Sequence, residues 1–532
     1  MAEESVKGKG NGMETTPIHI SRASGRRARA GFNLEWSMVF EVVMKAKALE
    51  EMMSKPPLCG NRTGVREEQA MPVNHTETML RLGEVPLPKI EVKANIRDFG
   101  AKGDGTTDDT AAFKKAIEVT EQGAILIPAG RYILSEIIYI RRPNLVLRGE
   151  GTDKTTLFFS KPLEQLKPNI GATTTGVATS NYSWSGGLIW VEGMQGGARL
   201  GTVAERAPRG TSTIVIDKAA AVKPGQYIEI YMEDQGDGSL LQHLYNGQSD
   251  DVSQIKKARC IFVSKVTAVD GARITLERRL RTDVDPKWKP SVKIYAPTVT
   301  EVGIEDLSFE FPNIPYRGHF KEDGYNPLTF VGGTAHCWAR NIRVVNADSG
   351  PFVAGSFITV DGFVLESSRQ AVDAKGGEQG HHGFTMGNDG LLKNFDFRCR
   401  FIHDISVEMC AGAVISNGKG VDLCFDNHKR FPHSNLFTQL DLGAGTRMYR
   451  CGGGAKLGRN SAAWTTFWNI TAKNELHWPP NGFGPDLMNL IGLHSKDTAV
   501  LNTQGRWFEP IPPATIQPKN LYEAQLAKRL GK

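Results

Sequence analysis

Several features are scarce or missing in this sequence, and each absence removes a class of protein. Lys and Arg total 64 against 58 acidic residues, a net +6, yet they form no dense basic block, so a nucleic-acid surface is not expected. The seven cysteines, Cys59, Cys260, Cys337, Cys399, Cys410, Cys424 and Cys451, include no CxxC pair and no zinc-like spacing. Buried free thiols are expected, with a Cys399–Cys424 bridge as the alternative. No long uncharged apolar run occurs. Asn33–Met53 reads as a helix, but Glu35, Glu41, Lys45 and Lys47 interrupt it, which excludes a membrane span. No apolar core followed by a small-residue cleavage site marks a secretory signal. Aromatics make up only 8% while glycine reaches 57 residues, a balance that favours short strands and tight turns over long helices. At 532 residues the chain exceeds one ordinary core, but a solenoid grows without one.

What is present divides into three parts. Residues 1–88 begin polar and Gly/Ser/Arg-rich and are expected to be a partly disordered extension containing the one helix. Residues 89–532 are expected to be the folded domain. Within it, residues 209–297 alternate apolar and polar residues in short runs, the pattern of a small antiparallel β insertion. Four N-x-S/T sequons, at Asn61, Asn74, Asn181 and Asn469, do not settle the compartment.

IEVKANIRDFGAKGDGTTDDTAAFKKAIEV, from Ile90, predicts a strand, a Gly-rich turn and a helix whose start carries Asp108 and Asp109. The stretch NIRDFGAKGDGTTDDTAAFKKAI followed by AILIPAGRYIL resembles the opening of the pectate lyase superfamily domain, found in right-handed parallel β-helix proteins such as polygalacturonase-like and phage tailspike proteins. The resemblance is strong from Asn95 to Thr152 and weak over the later coils. It implies an all-β fold, a right-handed parallel β-helix whose first coil is capped by that helix. Asp104, Asp108 and Asp109 are read as shaping the turn and helix start, with no catalytic part. The resemblance also implies an extracellular or periplasmic setting.

The densest polar stretch lies between Gly380 and Arg450. His381, His403, Phe425 and Arg447 stand 22 residues apart, and so do His382, Asp404 and Asp426. A fixed step of this size marks stacked coils, whose strands lie about 4.8 Å apart. Equivalent positions then form a ladder of imidazole, carboxylate and guanidinium. Stacked carboxylates would raise one another's pKa unless a cation or Arg447 intervened. For any single residue, capping a turn explains as much as a site does; the cluster as a whole favours a site. A second cluster, His319, Glu322 and Asn326, lies in one loop, with Asn326 again 22 residues from Asp348.

Three functions fit. In β-elimination on a uronic acid, a cation neutralises the carboxylate and a base removes the α proton. His382, His403, Asp404, Asp426, His428 and Arg447 are the catalytic candidates. Asp404 and Asp426 are the candidate metal ligands, and calcium is the only cofactor implied. His319, Asn326, His381, Arg430, Lys456, Arg459 and Trp464 are the substrate-binding candidates, the last three because rings and cations suit acidic sugars. Hydrolysis by paired carboxylates among Asp404, Asp426, Glu408 and Asp441 is the second reading. The polygalacturonase order of NTD, DD and GHG is missing, with GHHG at Gly380 its nearest echo. A non-catalytic carbohydrate-binding β-helix is the third. The partner expected throughout is an acidic polysaccharide or oligosaccharide.

Overall fold

The computed structural model describes residues 83, 85–371, 377–501 and 506–531, all within one unit, Gly60–Lys532. The expected polar tail and the helix over Asn33–Met53 lie outside the described residues, as do Cys59 and the sequons at Asn61 and Asn74. The chain winds into a right-handed parallel β-helix, the hand that parallel crossovers almost always take. No helix among the described residues is long and apolar enough to cross a membrane.

Two parallel sheets run along the solenoid. One has seven strands in chain order, β1 (Ile138–Ile140), β2 (Ile189–Val191), β3 (Leu328–Phe330), β4 (Phe352–Val353), β5 (His382–Met386), β6 (His403–Val407) and β7 (Phe425–Asn427). The other continues through eight successive strands from Gly303–Glu310 to Asn489–Leu493. Each of these eight bends at a left-handed residue: Asp306, Asn341, Gly362, Asn394, Asn417, Gln439, Asn469 or Gly492. Short amide and carboxylate side chains and glycine tolerate that conformation best. They also bond along the column, from Asn341 to Asp306 at 2.8 Å and from Asn417 to Asn394.

Between the sheets lies a continuous apolar core. Its rings stack from coil to coil, with Phe425, Phe437 and Phe467 centroids 4.9 and 4.7 Å apart in turn. The helix α1 (Thr110–Val119) adds Ala112, Phe113, Ala116 and Ile117 to this core. Asp109 before it accepts from the amides of Lys102 and Gly103, and Asp104 and Asp108 accept from the threonines beside them. All three aspartates therefore shape the turn.

An antiparallel six-stranded sheet occupies Arg199–Ile294, beginning ahead of residue 209. Its own apolar core takes in Phe431 and Ala462 from the coils. Tyr245 fastens it further, accepting from the Phe431 amide at 2.8 Å and donating to the Arg459 carbonyl at 3.1 Å. The six described cysteines are all free, and Cys451 alone is not fully buried. The Cys399–Cys424 bridge is thereby corrected: Cys424 instead accepts from the Asp404 amide.

Candidate active site

Strand register decides which polar residues meet. Across β5 and β6 His382 pairs with His403, a step of 21 residues; across β6 and β7 Ser406 pairs with Asp426, a step of 20. On the long sheet the same coils advance by 23 and 22, from Leu391 to Val414 to Leu436. The constant 22-residue ladder is therefore wrong. Turns between the sheets absorb different numbers of residues, so coil length is uneven and the two rows of candidates separate.

One set converges. His382 opens β5, His403 opens β6, His381 precedes β5, His428 follows β7, and His319 arrives on the loop before β3. Ring centroids are 4.5 Å apart for His319 and His381, 5.1 Å for His382 and His403, and 5.4 Å for His403 and His428. Asp426, fully buried, anchors the set. Its carboxylate accepts from His428 Nδ1 at 2.7 Å, Ser406 Oγ at 3.1 Å and the Gly452 amide at 2.7 Å. Because Ser406 donates to Asp426, its oxygen accepts from His382 Nδ1, 2.9 Å away, which assigns that tautomer. Glu322, also buried, is held by Tyr316 and by Ser183 and faces His381 Nδ1 at 3.3 Å. His403 Nδ1 lies 3.3 Å from Asp426 without the alignment of a hydrogen bond.

Burial and charge then set protonation. Burial pushes His403 down to about 3, and the neighbouring imidazoles add to this against the pull of Asp426. Burial likewise holds His319 down at about 4 and His382 well below the usual histidine range. His428 goes the other way: burial opposes its charge, but the Asp426 carboxylate outweighs it and raises the ring to about 9. Burial would lift Asp426, yet His403, His428 and the Gly452 amide bring it below the ordinary carboxylate range. Gly452 must lack a side chain. A Cβ there would meet His428 Cε1 at 2.5 Å and His403 Cε1 at 2.9 Å.

The second set forms a separate, closed network. Asp404 accepts from the amides of Phe401 and Cys424, both at 2.9 Å, and from Arg447 at 2.5 Å. Arg447 also donates to the carbonyls of Phe401 and Asp422. Asp422 accepts in turn from Thr446 and Arg400. Burial raises Asp404 although Arg447 and the amides oppose the shift. Asp404 and Asp426 therefore share no site, and the metal pair read from the sequence is corrected.

The remaining candidates are dispersed. Asn326 is buried, bonded to the carbonyls of Tyr182 and Ser185 and to the Ser349 amide, so it orders the turn. Arg430 pairs with Glu408 at 3.1 Å. Arg459 grips Asp250 of the inserted sheet at 3.0 and 3.1 Å, and the Lys456 carbonyl accepts from Gln254. Trp464 packs against His243, with the Arg209 guanidinium 4.9 Å from its ring centre. Asp441 accepts from the Gly443 amide. Glu322 gains a role that its loop position alone did not give it, while Ser406, Tyr316, Ser183 and Gly452 had no distinguishing sequence signal.

Calcium takes about six to eight oxygen ligands. Among the described residues, the two groups able to hold an ion are His319, His381 and His403, and His403, Asp426 and His428. One carboxylate among five residues does not fit calcium.

Residues 93–191 match the family model described as rhamnogalacturonase A/epimerase, pectate lyase-like. Residues 402–532, which carry His403, Ser406, Asp426, His428 and Gly452, match a domain of unknown function (DUF4955). Two curated relatives come from Azotobacter vinelandii. Alginate lyase 7 is 31% identical over 100 residues, covering 17% of this chain and 12% of its own length. Mannuronan C5-epimerase AlgE5 is 32% identical over 100 residues, covering 17% and 10%. The chain thus spans about a tenth of the length of these relatives. Among solved structures, the tailspike protein gp49 from Pseudomonas phage LKA1 covers 75% of this chain and 63% of its own at 13% identity and a TM-score of 0.47.

Proposed function

We propose that the chain removes the proton α to the carboxylate of a uronic acid in an acidic polysaccharide and cleaves the polymer by β-elimination. The observation that carries this reading is the Asp426–His428 pair within a cluster of five imidazoles. Asp426 holds His428 by Nδ1, leaving Nε2 as the reactive nitrogen, and the same carboxylate makes that ring a stronger base. Strength matters because the C5–H is a weak acid. In its neutral form, populated as the pH rises toward about 9, His428 takes the C5 proton, the C4–C5 double bond forms, the C4–O4 bond breaks, and the departing O4 is protonated from the imidazolium or from water. Lys429, next in sequence and with its stem beside Gly453, is read as the cation that meets the substrate carboxylate. The carboxylates considered for hydrolysis are each engaged by a cationic partner: Asp426 by His428, Asp404 by Arg447, and Glu408 by Arg430.

A second reading is favoured by the relatives' names. The same proton removal followed by return to the opposite face would be epimerisation. The purified chain is incubated with pectin, alginate, glucuronan and sulfated glycans in deuterated water. Ultraviolet absorbance rising together with reducing ends supports elimination. Deuterium at C5 without absorbance moves the reading to epimerisation. Reducing ends without absorbance would mean hydrolysis, and no change on any polymer would leave a binding protein.

A further inference from the structure

His319, His381 and His403 each bring a ring nitrogen within 4.8 Å of the other two. His381 and His403 are only 1% and 5% exposed, and the Nδ1 of each has no aligned hydrogen-bond partner. A buried polar atom left without a partner costs about 1–3 kcal/mol, so packing alone gives no reason to gather these rings. A buried carboxylate stands behind each ring: Glu322 lies 3.3 Å from His381 Nδ1 and Asp426 lies 3.3 Å from His403 Nδ1. Carboxylates so placed fix the tautomer of metal-ligating imidazoles and raise their basicity. Glu322 is itself fixed by Tyr316 and Ser183.

We propose that His319, His381 and His403 form a three-imidazole site for a divalent transition metal of the zinc type, each ring giving one nitrogen, with a fourth position left open. Imidazole suits zinc, copper and nickel, whereas calcium prefers oxygen. At a Zn–N distance of about 2.0–2.1 Å, tetrahedral nitrogens lie about 3.3 Å apart, so the rings need to close by no more than about 1.5 Å. His319 is the exposed member, its ring stacked on Phe320 at 3.6 Å, and it supplies that movement. His428 has no part in the site, which stands whether or not the chain cleaves a polysaccharide.

The full-length chain, stripped with chelator and dialysed, is titrated calorimetrically with Zn2+, Co2+ and Ca2+, and the visible spectrum of the cobalt form is recorded. Expected are one Zn2+ per chain at micromolar affinity or tighter, the intense visible bands of four-coordinate cobalt, and no binding of Ca2+ at this site. His319→Ala is expected to weaken zinc at least about 10-fold, and Glu322→Gln about 10- to 100-fold. Zinc binding that is absent, or equal in wild type and His319→Ala, overturns the proposal, as does calcium competing with zinc. Should Glu322→Gln not fold, His319→Ala on its exposed loop decides the matter.

Discussion

Two polar clusters lie within a few residues of each other, and they differ in completeness. Around Asp404 and Arg447 each carboxylate and guanidinium has direct partners, and the network ties Phe401, Asp422 and Cys424 together. Around Asp426 the Nδ1 atoms of His381 and His403 are buried and unaligned. A closed polar network stabilises a coil, whereas one with idle donors and acceptors keeps bonding capacity for something else. Residue type does not separate the two, since both contain a buried aspartate with a cationic partner.

The comparison breaks most visibly through His428→Gln. Losing an acid-base group lowers turnover of the folded fraction about 10²- to 10⁴-fold; equal turnover in wild type and variant would remove the ring from the mechanism. Asp404→Ala should do the reverse. It removes the carboxylate nearest the buried Arg447 and leaves only Glu378 and Asp422 at 3.6 and 3.9 Å, for a destabilisation of up to about 3 kcal/mol in denaturant titration, while the folded fraction keeps its turnover.

His433 sharpens the contrast, because it is a buried histidine whose Nδ1 is satisfied by the Phe431 carbonyl at 2.9 Å. Its other nitrogen lies 3.9 Å from Cys260 Sγ of the inserted sheet. Burial pushes it down to about 4, opposed by the Phe431 bond and reinforced by Arg281, His243 and Arg209. Between about pH 6.5 and 4 the unfolded chain binds a proton that the native chain refuses. Stability therefore decreases as the pH is lowered through that window, by up to about 1.4 kcal/mol per unit, and this group contributes no slope above it. His433→Gln should flatten the slope in denaturation series at several pH values. Smallest is Lys429→Ala, expected to raise KM several-fold on a carboxylated substrate with little change in kcat; an unchanged KM would separate Lys429 from substrate binding.

The solenoid was legible in advance because the NIRDFGAKGDGTTDDT segment and the recurring Asn, Asp and Gly turns are local features. The closeness of His381, His382 and His403 was also legible, since histidines near strand starts on neighbouring coils must come close, whereas His319 was read into a second cluster and His428 follows its strand. Register was not. Whether a coil takes 20, 21 or 23 residues depends on how its turns pack, and that moved Asp404 from beside Asp426 to beside Arg447. Gly452 and Ser406 were invisible for a related reason: each matters through a partner about 20 or more residues distant, with no spacing rule to announce it.

The seven-stranded sheet has its imidazoles on β5 and β6 and just after β7, the last three strands. With strands about 4.8 Å apart, some 19 Å of sheet extends from β5 back to β1. A polymer lying across the strands would therefore rest most of its length on one side of the reacting bond. The fragments released would be set by that asymmetry, with the strand count acting as a ruler for product length.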